Sequence, residues 1–300
     1  AGKQVLRKGL SPLATTISTP GAAPVIAGMR LRAGRTGSGK GAGRMVAQAI
    51  TTARAAGATG AILVRGDSSY GNRSVVSACR RHGAQFSLVM TRNAAIDRAI
   101  NAIDEAAWTP VKYPGAVRDP DTGEWISDAE VAEIGYTAFA STKERFTARL
   151  VVRRVKDARF RDALFPTWRY HPFFTNTDLP TVDADITHRQ HAIIETVFAD
   201  LIDGPLAHMP SGRFGANSAW VLCAAIAHNL LRAAGVLAGG THAVARGATL
   251  RRKIVTIPAR LARPQRRPVL HLPSHWPWAQ HWLRLWRSVI GHSPPKFATT

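Results

Sequence analysis

Apolar runs about four to eight residues long, separated by loops and helical stretches, mark out the first hundred positions. Residues 24–31 (PVIAGMRL) read as a short strand, preceded by a loosely strand-like stretch at 13–18. A basic glycine-rich loop follows, and the alanine-rich segment 41–56 has helical character. The run AILV at 61–64 is short and wholly apolar, the pattern of a central buried strand, with Asp67 just past its end. Residues 72–82 predict a helix and 85–90 another strand. Strand and helix alternating in this way argue for an α/β layer, with open strand ends where ligands bind.

The pattern changes after about residue 107. WTPVKYP, EVAEIGYTAF, FTARLVVRRV and YHPFFTN make the segment up to 175 strand-rich, with a turn-like DPDTGEW between the first two. These features predict a β-rich insertion that joins the sheet only through its last strand. A strong helix is expected over about 182–202. Its apolar stripe is Ile193, Ile194, Val197, Phe198 and Leu201, so one side packs inward. His188, His191 and Glu195, spaced by three and four, share a separate face of that helix. The chain then stays helical to about 237. The remainder, with RRK and ARLARPQRRP, is basic and expected to be peripheral. Trp278, Trp282 and Trp286 recur every fourth residue, which reads as a packed helix face.

Charge sharpens this picture. The 300 residues carry a net +21, and the distribution is lopsided. No Asp or Glu occurs in residues 1–66, which hold ten Lys or Arg, and none occurs in 204–300, which hold thirteen. All 19 acids lie between Asp67 and Asp203. Basic flanks of this kind fit a polyanionic partner, because each phosphate neutralised releases counterions. Cys79 and Cys223 form neither a disulfide framework nor a zinc spacing. The most apolar run, 219–238, contains His228, Asn229 and Arg232, so it reads as a buried amphipathic helix rather than a span. With no signal peptide visible, the expected location is the cytoplasm, with no membrane partner.

The candidate chemistry centres on Asp67 and Glu195. A carboxylate from a strand end and one from a helix suit Mg²⁺, a hard cation that takes oxygen ligands, with Mn²⁺ as a substitute. Such ions can activate an attacking oxygen and stabilise a leaving oxygen at a phosphodiester. Three competing patterns are weaker. GRTGSGKG at 34–41 fits a phosphate-binding loop until Gly41 replaces the Ser or Thr that would hold Mg²⁺, so no nucleotide cofactor is expected. Ser68, His188 and Asp185 could form an esterase triad, but no partner motif for an oxyanion hole is found. His188, His191 and Glu195 could hold zinc or iron.

The stretches RGDSSYGNRSVVSACRRHGAQFSL, AWTPVKYPGAV, WISDAEVAEIGYTAF and HRQHAIIETVFADLIDGPLAHMPSGRFGANSAW resemble the DDE group 1 insertion-sequence transposases of high-GC bacteria, over nearly the whole chain. The resemblance implies a fold of the α/β class: an RNase H-like mixed sheet flanked by helices, interrupted by a β-rich insertion and followed by a basic C-terminal extension. The implied layout is a first part of the core at 1–100, the insertion at 101–175, the second part of the core at 176–238 and the extension at 239–300. Asp67 becomes the second catalytic carboxylate and Glu195 the third, both as metal ligands. The first catalytic aspartate is expected to be absent from the chain, which would be N-terminally incomplete. The related helix signature is Tyr, Arg, Glu and Lys, separated by two, three and six residues. Here those positions hold His188, His191, Glu195 and Ile202, so only the glutamate matches. Ile202 cannot make the charge-assisted phosphate contact of a lysine. The expected partner is double-stranded DNA, as element ends and target, with a homodimer as the working unit. Candidate DNA contacts are Arg32, Arg35, Lys40, His188, Arg189 and His191. The parent activity would be DNA strand cleavage and transfer, impaired in this chain. A non-catalytic DNA-binding remnant is the competing reading.

Overall fold

A computed structural model describes residues 9–157, 159, 167–266, 269–273 and 275–291. The chain divides into two compact units, one of residues 35–192 and one of residues 1–34 with 193–300.

The unit of residues 35–192 is built on a six-stranded mixed sheet. Its strands are β3 (Leu63–Gly66), β4 (Gln85–Val89), β5 (Thr109–Pro110), β8 (Ala129–Ala138), β9 (Phe146–Lys156) and β10 (Trp168–Thr175), in the order β3-β4-β10-β9-β8-β5. A separate two-stranded ribbon, β6 (Val117–Arg118) with β7 (Trp125–Ile126), lies between β5 and β8 in the chain. β3 and β4 run parallel and the other pairs antiparallel. The helices of this unit are α1 (Ala42–Ala55), α2 (Arg73–Arg81), α3 (Ala94–Asn101) and α4 (Thr181–Arg189). α2 and α3 start where Asn72 and Asn93 accept hydrogen bonds from first-turn N–H groups.

Two expectations change here. β3 is not central: it pairs only with β4 among the described strands, and all four of its residues are half-buried. The strand-rich segment, expected to join the sheet only through its last strand, supplies β5, β8, β9 and β10, four of the six strands. The long ladders β8–β9 and β9–β10 make it continuous with β4 rather than an appendage. On one face of the sheet α4 packs through Ala184 against Val151 and Phe173. On the other, Phe86, Phe146, Phe174 and Tyr136 form an aromatic group with ring centroids 5.4–6.3 Å apart. Phe86 and Phe174 are fully buried, and burying each stabilises the fold by about 1.5–3 kcal/mol.

The second unit begins with the hairpin β1 (Leu13–Thr19) and β2 (Ala22–Arg30), whose register slips at two points. It continues with α5 (Ile193–Ile202) and α6 (Phe214–Ala238). Ile26, Met29 and Leu31 pack with Val197, Leu201, Val221 and Ala224. By length and composition alone α6 could cross a membrane. Its polar residues, however, are used inside this unit. Asn229 Nδ2 donates to the Ile26 carbonyl at 2.9 Å and its Oδ1 accepts from the Ile26 N–H at 2.8 Å, while His228 Nε2 meets the Pro24 carbonyl at 3.1 Å. The chain continues through the short α7 (Gly247–Leu250) and the pair β11 (Arg260–Ala262) and β12 (Val269–His271) to α8 (Ala279–Ile290). Trp278 and Trp282 pack with Leu285 on Ala238, Leu250 and Ile254.

Candidate catalytic carboxylates

Asp67 follows β3 directly, and its carboxylate is exposed. The turn after it is tightly fixed. Ser69 N–H donates to Asp67 Oδ1 at 2.9 Å, and Tyr70 N–H donates to the Asp67 carbonyl at 2.9 Å. The Ser69 carbonyl accepts from Asn72 Nδ2 at 3.1 Å, and Asn72 Oδ1 caps α2 through the Val75 N–H. A carboxylate with one oxygen held by a backbone N–H and an exposed side chain suits a hard cation, which takes oxygen donors in open geometry.

Glu195 lies in the first turn of α5 and is exposed. The face behind it is Val197 and Leu201, both buried, whereas Ile193 and Phe198 of the expected apolar stripe are each 39% exposed. Ile202, at the position of the family's lysine, is 62% exposed. Among the described residues, no group of three or more His, Cys, Asp or Glu is gathered so that it could hold a metal ion.

The helix expected over 182–202 is two helices. α4 ends at Arg189, a single 3₁₀ turn covers Gln190–Ala192, and α5 starts at Ile193. Side-chain donors occupy the last carbonyls of α4: Arg65 Nη1 donates to the Thr187 carbonyl at 2.8 Å, and the His191 ring Nδ1 to the His188 carbonyl at 2.7 Å. Such donors satisfy carbonyls at a helix end. His188 lies on α4 and His191 in the 3₁₀ turn, whereas Glu195 belongs to α5.

His188 is not a surface residue. Its side chain is buried, its Nδ1 lies 2.8 Å from the Ser87 hydroxyl, and its ring stacks on Phe173. Burial first, then the nearby His191 and Arg153, push the imidazole down to about 3, so it is neutral. A neutral, enclosed ring cannot meet a DNA phosphate. The same geometry argues against an esterase triad. The ring nitrogen faces Ser87, while Asp185 meets Arg153 at 3.4 Å and Arg189 at 3.0 Å. Burial raises the Asp185 carboxyl, and the two arginines pull it back. Arg189 is half-buried through this pairing, and His191 is half-buried.

Of the three basic residues in the glycine-rich region, Arg32 is buried and donates to the Ser11 carbonyl and hydroxyl at 3.1 and 3.0 Å. Arg35 and Lys40 are exposed. The segment around Lys40 lies beside the Asp67 turn: a Cβ placed on Gly39 would come within 2.5 Å of the Ser69 carbonyl oxygen.

Asp200 was not singled out by the sequence reading, and it is the most heavily engaged acid on α5. Its Oδ1 accepts from Arg246 Nε at 2.5 Å and from the Gly247 N–H at 3.1 Å, and its Oδ2 lies 3.3 Å from Arg232 Nη2. An acid three residues after Val197 and next to Leu201 stands on the buried face, and that spacing is the signal that could have found it.

In comparison with protein families, residues 20–292 match the model described as transposase DDE domain group 1. No curated protein matches the chain.

Proposed function

The chain belongs to the transposase DDE domain group 1 family, and from that premise we propose that its parent activity is strand cleavage and strand transfer on insertion-sequence DNA. The family assigns it as a DDE-type transposase, and its six-stranded mixed sheet flanked by helices is consistent with an RNase H-like fold. The observation that carries the catalytic reading is Asp67: an exposed carboxylate at the end of β3, with one oxygen held by Ser69 and the turn locked by Asn72.

In this reading Asp67 and Glu195 are each a metal-ligating carboxylate, and Mg²⁺ is the natural ion, with Mn²⁺ able to replace it. When bound, such an ion supplies charge stabilisation to the attacking and leaving oxygens of a phosphodiester. The protein's part is positioning. Asp67 is held on a rigid turn, and the positive charge of Arg35 and Lys40 attracts the DNA backbone. Arg189 and His191 are secondary candidates for phosphate contacts. The reaction is attack on a phosphodiester, first by water and then by a 3′-hydroxyl, and little covalent chemistry falls to the protein.

Residues 1–66 contain no Asp or Glu, so the first aspartate of a three-carboxylate site is not among them. The 300 residues by themselves are therefore expected to bind duplex DNA and leave it intact. The test incubates the purified chain with a labelled duplex carrying candidate element ends, with and without Mg²⁺. Salt-sensitive binding without cleavage is the expected result. Robust Mg²⁺-dependent cleavage that Asp67→Asn leaves unchanged would overturn the assignment of Asp67.

A further inference from the structure

Resting on the transposase reading, we infer that the glycine-rich loop before α1 is a positioning element for the phosphodiester beside Asp67, with Gly39 as the residue that seats it and Lys40 as its charge. The sequence 34–41 looks like a nucleotide-binding loop and lacks the hydroxyl that such a loop needs. The structure gives the segment a different neighbour.

Gly39 lies against the backbone of Ser69. A Cβ there would sit 2.5 Å from the Ser69 carbonyl oxygen and 3.0 Å from Asn72 Nδ2, so no larger residue fits without moving the backbone. Ser69 is also the residue whose N–H holds Asp67 Oδ1 and whose carbonyl receives Asn72. Ser69 therefore holds the carboxylate through its N–H and meets the loop at its carbonyl. The approach continues into the helices: a Cβ on Gly43 would meet the Ser74 carbonyl oxygen at 2.5 Å, so α1 and α2 start in close contact. The turn in the loop is closed by Lys40 N–H to the Gly37 carbonyl at 3.0 Å and Ala42 N–H to the Gly39 carbonyl at 3.2 Å.

Lys40 directly follows Gly39 and is exposed. Consecutive Cα atoms stand about 3.8 Å apart, so the base of this side chain lies one residue from the contact with the Ser69 carbonyl. In this reading the Lys40 side chain supplies positive charge to a phosphodiester engaged at the Asp67 turn. Such a pairing of charge and metal-ligating oxygen holds a phosphate in place without taking a proton from it. The loop thus acts on the backbone of DNA and carries no sequence preference.

The test measures the affinity of the full 300-residue chain for a 30-base-pair duplex as a function of salt. Four proteins are compared: the wild type, Lys40→Gln, Lys40→Arg and Gly39→Ala. One lost phosphate contact lowers the slope of log affinity against log salt by about 0.9. Lys40→Gln is expected to show that loss, Lys40→Arg to restore the wild-type slope, and Gly39→Ala to show it despite keeping the lysine. A loop that only packs would lower thermal stability in Gly39→Ala and leave every slope at the wild-type value, and that result overturns the inference. A wild-type chain that binds no duplex at all would instead sink the transposase reading, and the loop's role with it.

Discussion

The imidazole of His188 lies flat on the ring of Phe173, with centroids 4.1 Å apart and planes 2° from parallel. Both residues belong to the unit of residues 35–192, where α4 packs across β9 and β10. A His in this setting is part of the core, and its neutrality has a consequence for stability. In the folded chain burial holds it at about 3, against 6.5 for a free imidazole. Both states are neutral above 6.5. Below it the unfolded chain takes up a proton that the folded chain refuses, so folding stability falls as pH drops from about 6.5 toward about 3. The loss attributable to one such group approaches about 1.4 kcal/mol per pH unit. Urea midpoints measured from pH 7 to pH 4 should decline, and His188→Gln should flatten the decline while lowering stability at pH 7. An equal slope in the variant would contradict the burial argument.

Asp200 is expected to be the costliest acid to remove from α5. Arg232 is 3% exposed and counts this carboxylate as its ionic partner. Asp200→Ala leaves that guanidinium buried without a counter-charge, a change that costs about 3–5 kcal/mol. Thermal denaturation should show a drop of many degrees. Asp203→Ala, on a side chain 62% exposed, should change little.

Arg154 is clamped between Trp108 and Trp168, 4.3 Å from each ring centre, while its fork meets Glu130 and Glu105. A lysine keeps the charge and loses the planar stack and the bidentate fork. Arg154→Lys should therefore destabilise the sheet unit by about 1–3 kcal/mol, read as a shift of the denaturant midpoint. Tryptophan fluorescence should report the transition, since two of the clamp's members are indoles. A midpoint unchanged from wild type would contradict this account.

Local pattern carried the short elements well. Residues 13–18, 24–31, 41–56, 72–82 and 85–90 all become elements of the expected type, because each shows a clear apolar period or a capping Asn. Asp67 stands just past the end of a strand, where the apolar run put it. What failed depends on distant partners. The last turn of α4 is capped by Arg65, 122 positions before the carbonyl it meets. The burial of His188 is set by Ser87, 101 positions earlier, and by Phe173. A helical wheel places His188 on an outer face because it knows nothing of the strands across which α4 lies. Likewise AILV looks central by composition, yet the position of β3 at the end of the order of described strands is fixed by which strands pair. The expectation that the strand-rich segment joins the sheet only through its last strand failed because hydrophobic period cannot distinguish a strand that extends the sheet from one that stands apart.

The central claim is that Asp67 and Glu195 bind divalent metal while the rest of the fold stays indifferent to their charge. Both are exposed, so Asp67→Asn and Glu195→Gln should fold as the wild type does. The most direct measurement is Mn²⁺ binding by water-proton relaxation in the presence of duplex DNA, for the wild type and each variant. The account predicts saturable binding in the wild type, weakened at least tenfold by either substitution, with thermal stability unchanged. Equal Mn²⁺ affinity in all three proteins would contradict it.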